Sequence, residues 1–172
     1  MTLDILSNYA DIFAIPLALI GIILVVRQLK LALIVSERDH QRSQNEMTLN
    51  AYNSVRGELR DTIRSVRLQL NLEDMFAPFT DENLEQIKKN KALRYEVAKM
   101  LGFLNKFAVG IKHDVFNIDM INDLAGKLFI HTYKQFKPYI YWVREDYQDF
   151  YIEYEKLVKE LTIMRYGDLD SL

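Results

Sequence analysis

The sequence predicts an all-α protein in which an N-terminal transmembrane helix continues into a long helix and is followed by a cytoplasmic helical bundle. Three observations predict it. Six Gly and three Pro are spread over 172 residues, so long stretches lack helix breakers. Apolar residues recur at three- and four-residue steps, and no alternating run is flanked by turn pairs. The segment IPLALIGIILVVRQLKLALIV, Ile15 to Val35, is too apolar all round for a surface helix of a water-soluble protein.

Residues 1–11 are short and slightly acidic. From Ile12 to Val26 all fifteen residues are apolar. Pro16 falls near the start of this run, where a helix tolerates proline best. A bilayer core of ~30 Å needs ~20 helical residues, whereas fifteen residues rise only about 22 Å. A span from about Leu6 to Val26 fits, with Tyr9 at the outer interface and Arg27 and Lys30 at the inner one. A charge at the bilayer centre costs about 2.5–3.5 kcal/mol, and snorkelling near a helix end reduces that. Arg38 and Arg42 follow on the same side. The positive-inside rule therefore predicts a single-pass protein, N-terminus outside and C-terminal body cytoplasmic. Two rivals remain: a buried soluble helix and a cleaved signal peptide. The signal peptide would need basic residues before the apolar run and a small-residue site after it.

The apolar character resumes after the charges, at Leu29 and from Leu31 to Val35. A lone anchor needs no such surface once it leaves lipid, so neighbouring copies, lipid or the C-terminal body must cover it. Ala14, Ala18 and Gly21 form a small-residue stripe that lets helices approach closely. Arg27, Gln28 and Lys30 are candidates for the cytoplasmic mouth of a pore in a homo-oligomer. The alternative is that the cations snorkel to lipid headgroups.

Residues 1–35 thus form a transmembrane and juxtamembrane helix and 36–172 a cytoplasmic helical domain. Helix formers fill the stretch from Ser36 to Phe76 apart from Gly57. Met47, Leu49, Ala51, Tyr52, Val55, Leu59, Ile63, Val66 and Leu70 give its apolar rhythm, with room for a break near Ser43 to Asn45. Pro78 ends the pattern, and Thr80 or Asp81 caps the next helix. That helix runs through Leu84, Ile87, Leu93, Val97, Leu101, Leu104 and Phe107 to about Lys112, with a candidate interruption at Asn90. Asn117 and Asp119 start another, which Ile121, Leu124, Leu128, Ile130 and Tyr133 carry to about Gln135. Pro138 suits the first turn of a separate helix over Tyr139 to Asp146. The last helix covers about Asp149 to Met164, with Ile152, Leu157, Val158 and Leu161 inward and RYGDLDSL as a loose tail.

Net charge is −2, so no global pull toward nucleic acid is expected. With no cysteine, disulfides and cysteine-ligated zinc are excluded. His40, His113 and His131 have no metal-spaced partners, and phosphate-loop, dinucleotide and nucleophile-elbow motifs are absent. No cofactor or metal is expected. Gly110 follows an apolar helix face, which suits close packing or a helix C-terminus. Eight aromatics fall between Phe136 and Tyr154. Acidic neighbours such as Asp146 and Asp149 oppose phosphate, so no direct nucleic-acid binding is expected. A hairpin core explains most of these aromatics, and Tyr139, Tyr141, Trp142 and Tyr151 are candidates for a subunit interface.

The segments LGFLNKFAVGIKHDVFNIDMINDLAGKLF, FKPYIYWVRED and YIEYEKL resemble an uncharacterised bacterial family of membrane-anchored helical domains. Leu104-Asn105, Gly110, Pro138-Tyr139-Ile140, Arg144 and Glu155-Lys156-Leu157 carry the likeness over residues 95–160. It implies an N-terminal anchor and a helical cytoplasmic body, and transfers no catalytic residue. HEPN nucleases pair an Arg with a His four to six residues later, but Arg38 lies only two residues before His40. His113 and His131 have no Arg at that distance before them. The chain is therefore not expected to be an enzyme. Its size, single span and divergent HEPN-like body are similar to the small membrane accessory proteins of type VI-B CRISPR loci. That resemblance implies a ring-shaped homo-oligomer, a membrane pore and a role in antiphage defence beside an RNA-guided, RNA-cleaving nuclease. A membrane-tethered HEPN-like RNase using His113 or His131, and a passive scaffold recruiting a cytosolic partner, are the alternatives.

Overall fold

The computed structural model describes residues 2–74 and 76–169, except for the side chains of residues 2–18. It is all-α: α1 (Thr2–Gln69), α2 (Asp81–Lys89), α3 (Lys91–Lys112), α4 (Ile118–Asp146) and α5 (Ile152–Tyr166), with no strand among the described residues. The chain divides into two units, Met1–Ser43 and Gln44–Leu172. This division lies eight residues beyond the boundary expected at Val35. Helix α1 is assigned through Ser43 to Asn45, where the sequence left room for a break.

Within the second unit, residues of α1 from Tyr52 onward repeat at steps of three and four and supply one wall of the core. Leu59, Ile63, Val66 and Leu70 are buried there with Leu93, Val97, Leu101 and Leu104 of α3. Ile121, Phe129, Ile130 and Phe136 of α4 and Tyr154, Leu157, Val158 and Leu161 of α5 complete it. Edge-to-face ring pairs link its layers, Tyr52–Phe107 at 6.3 Å, Phe107–Phe129 at 6.1 Å and Phe129–Tyr154 at 6.0 Å. Met47 and Leu49, expected inward, are exposed, and Thr48 is buried instead. Its hydroxyl donates to the Gln44 carbonyl at 2.6 Å and accepts from the Asn117 N–H at 2.8 Å. A threonine serves there because a backbone donor at the start of α4 needs an acceptor.

The helix ends follow local chemistry. Thr80 makes a reciprocal capping box with Asn83. Asn90 ends α2 and caps α3, accepting from the Ala92 and Leu93 N–H groups, so the interruption there is real. Asn71 and Asp114 adopt positive φ just past α1 and α3, as short polar side chains permit. Gly110 is a close-packing site: a Cβ there would overlap the Phe116 ring, while the left-handed residue after α3 is Asp114.

Two expectations fail. Pro138 lies inside α4, which runs unbroken from Ile118 to Asp146. Proline removes one ladder hydrogen bond, at about 3 kcal/mol in a helix interior. Burial of Gln135, Phe136, Tyr139 and Ile140 on both sides of it holds the helix together. The tail also begins later than expected. Arg165 and Tyr166 belong to α5, Gly167 ends it at φ 84°, and the Arg165 guanidinium donates to the Asn122 carbonyl.

Candidate membrane segment and aromatic cleft

The first unit carries one feature. Twelve aliphatic residues between Leu19 and Val35 are exposed, from 45% for Val26 to 69% for Leu33. They occupy every side of the helix, because a run of consecutive apolar positions at 100° per residue leaves no polar face. The helix is long and apolar enough to cross a membrane, with a mean hydropathy of 2.1 over its most apolar window. Arg27, Gln28 and Lys30 are exposed within this surface. Gly21 is open, with nothing near the position a Cβ would take. The side chains of Ala14 and Ala18, the other members of the small-residue stripe, lie outside the described residues.

The aromatic segment divides by role. Tyr139 and Tyr151, expected at an interface between copies, are buried in the second unit's own core. Burial raises the pKa of both phenols above the ordinary tyrosine value. Tyr141 is exposed and Trp142 half-buried. Between α3 and the end of α4 lies a cleft of about 500 Å³, lined in part by Lys91, Arg94, Tyr95, Trp142, Tyr147 and Phe150. The Trp142 ring packs on Tyr139 at 5.8 Å. The Lys88 ammonium stands 5.5 Å and the Arg94 guanidinium 5.8 Å from its centroid. Tyr147 and Phe150 stack on each other at 4.9 Å.

The turn after α4 that presents these two rings is pinned by Arg144. Its Nε donates to the Phe150 carbonyl at 2.8 Å and its Nη1 to Glu155 at 2.5 Å. Lys159 also reaches Glu155, at 2.8 Å. Burial pushes the Glu155 carboxyl up, but hydrogen bonds from Lys159 and Arg144 outweigh this and hold its pKa at about 2. Tyr151, which follows the pinned turn, takes a left-handed φ of 60°.

The histidines are separately placed. His113 caps α3 and is exposed, and His40 is exposed on α1. His131 is half-buried against the Phe76 ring, centroids 4.6 Å apart. Burial, then Lys134, Lys127 and Arg67, lower its pKa. Nearby Gln135 is a buried clamp, donating to the Asp74 and Ala77 carbonyls at 3.1 and 3.0 Å and accepting from Arg67 at 3.4 Å. Among the described residues no three His, Cys, Asp or Glu side chains gather closely enough to hold a metal ion. The sequence reading missed the cleft as a unit, because Lys91, Arg94 and Tyr95 lie some fifty residues from Trp142. The local signal was the run of four cations between Lys88 and Arg94.

A family described as a domain of unknown function, DUF4760, matches residues 15–161. The chain belongs to the DUF4760 family. That match starts inside the apolar run and extends to Leu161 of α5, so the DUF4760 region includes most of the apolar segment and the whole aromatic cleft. No curated protein and no solved structure matches the chain.

Proposed function

We propose that this DUF4760 chain is a single-pass protein of the bacterial inner membrane that assembles with copies of itself and permeabilises that membrane in CRISPR-linked antiphage defence. The observation that carries the membrane part is the exposed aliphatic surface from Leu19 to Val35, far more apolar area than a monomer in water leaves uncovered. Self-assembly draws support from its persistence past Arg27 and Lys30. Lipid covers the part within the bilayer, and sibling helices cover the rest, packing along Ala14, Ala18 and Gly21. Arg27, Gln28 and Lys30 ring the cytoplasmic mouth. The body, residues 36–172, stands on the cytoplasmic side by the positive-inside rule. The link to an RNA-cleaving nuclease rests on the resemblance in size, single span and helical body alone.

The exposed rings of Tyr95, Tyr141, Tyr147 and Phe150 favour a second reading, a membrane scaffold that recruits a cytosolic partner. Replacement of residues 1–35 by an unrelated anchor separates the two: the scaffold keeps its function and the pore loses it. The direct test measures mass in detergent and dye release from vesicles. The expected result is an oligomer that releases dye, with release lost in Arg27→Glu/Lys30→Glu. A monomer that releases none would overturn the proposal. RNA cleavage by the purified protein, abolished in His131→Ala, would replace it with the nuclease reading.

A further inference from the structure

We infer that the cleft between α3 and the end of α4 binds a nucleotide, with the base stacked among its aromatic rings and the phosphate held by its cations. Three features of the second unit support this. The cleft, at about 500 Å³, lies in the usual range for small-molecule sites. Its rim presents large aromatics that the core leaves uncovered: Tyr95 is 70% exposed, Tyr147 59% and Phe150 47%. Isolated exposed rings are ordinary, but three around one concavity, with Trp142 at its side, make planar surfaces for a base.

The third feature is charge. Lys91 and Arg94 line the cleft, Lys88 lies over the Trp142 ring, and Asp146 is the one acidic residue among its lining groups. Lys88 is shared with Glu85 at 3.0 Å, and Arg94 spends one donor on the Lys88 carbonyl at 2.9 Å. No carboxylate among the described residues pairs with Lys91. The first turn of α3 holds no acidic residue, so its partial positive charge adds to that of the cations. Asn90 already occupies the Ala92 and Leu93 N–H groups. The phosphate partners are therefore the Lys91 ammonium and the remaining Arg94 donors rather than the backbone. Asp146 can accept from a base amino group or a ribose hydroxyl. A plain anion would leave the rings unused, and an apolar ligand would leave the cations unpaired.

Trp142 is the only tryptophan in the chain, so its fluorescence reports on this cleft alone. The full chain in detergent is titrated with ATP, adenosine, inorganic phosphate and a short single-stranded oligoadenylate. The expected result is saturable quenching by ATP, with adenosine and phosphate each at least about tenfold weaker, a loss of about 1.4 kcal/mol. Lys91→Glu and Tyr147→Ala, both at exposed positions, are expected to weaken ATP by a similar factor at unchanged melting temperature. Tighter binding of the oligoadenylate supports the same chemistry with a nucleic-acid end as its source, and tighter ATP a free nucleotide. Absence of quenching, equal affinity for phosphate or adenosine alone, or unchanged ATP affinity in Lys91→Glu each overturn the inference.

Discussion

The chain puts the same aliphatic residues to two uses. From Leu19 to Val35 they follow one another around the helix and lie exposed. From Leu59 to Leu161 they recur at helical spacing, separated by charged and polar residues, and most lie buried. Overall hydrophobic content of 49% is ordinary and does not distinguish the two regions. Periodicity does. An apolar stripe beside a polar face suits a helix with water on one side and protein on the other, whereas apolar residues on all sides suit lipid or complete enclosure. The physical consequence is that burial holds the second unit together, whereas the exposed run of the first unit calls for a cover of lipid or protein, so we expect that each can be damaged without the other.

The sharpest break of that comparison is a pair of opposite lesions. Leu19→Arg/Ile20→Arg places two charges in the apolar segment, at about 2.5–3.5 kcal/mol each near a helix centre. We expect it to move the protein from the alkali-resistant membrane fraction to the soluble fraction while the helical body melts as before. Phe129→Ala empties the centre of the ring network and is expected to cost about 3–5 kcal/mol. It lowers the melting temperature of the body and leaves membrane partitioning unchanged. If both lesions moved both readouts together, the division into independently supported regions would be wrong.

How far the sequence disclosed this architecture depends on the range of the forces involved. Thr80 and Asn117 were legible as helix starts and Asn90 as an interruption, because capping is decided within three or four residues. The core face of α3 was legible because Leu93, Val97, Leu101 and Leu104 keep the helical period. Pro138 misled because its local preference for a helix start is outweighed by burial of neighbours that local reading cannot weigh. Tyr139 and Tyr141 show the same limit. They stand two residues apart in one helix, yet one is buried and the other exposed, since which side faces α3 and α5 is a tertiary fact. The apolar segment was legible from its unbroken local run of apolar residues, Ile12 to Val26 and Leu31 to Val35. The cleft was not, since its cations and its rings come from segments that only the fold brings together.

A smaller break tests the pinned turn. Arg144→Ala removes the donors to Phe150 and Glu155 together. Hydrogen bonds involving a charged group contribute about 1.5–3 kcal/mol, so the expected loss is about 2 kcal/mol in chemical denaturation. Glu155, held at about 2, gives the same pair a pH signature. Its carboxyl is depressed in the folded state, so the stability it contributes is fully present above the unfolded value near 4.5 and is lost as pH falls toward 2. Arg144→Ala should therefore flatten the acid limb of the stability curve as well as lower its plateau. A lower plateau with an unaltered acid limb would place the arginine's contribution in packing against Tyr141, whose ring centroid lies 5.8 Å away.

The smallest expected effect is at His131, and its pH window lies above that of Glu155. Burial against Phe76 and the charges of Lys134, Lys127 and Arg67 hold the imidazole below its ordinary pKa. The unfolded chain takes up this proton first, so stability is whole above about pH 6.5 and declines as pH falls through the lower folded value. Melting followed by circular dichroism at neutral and mildly acid pH should show a fall in the parent that is reduced in His131→Gln. An equal slope in the parent and His131→Gln would mean that the Phe76 contact opens as readily as the imidazole charges, and that the loop carrying Phe76 adds nothing to the stability of the second unit in this range.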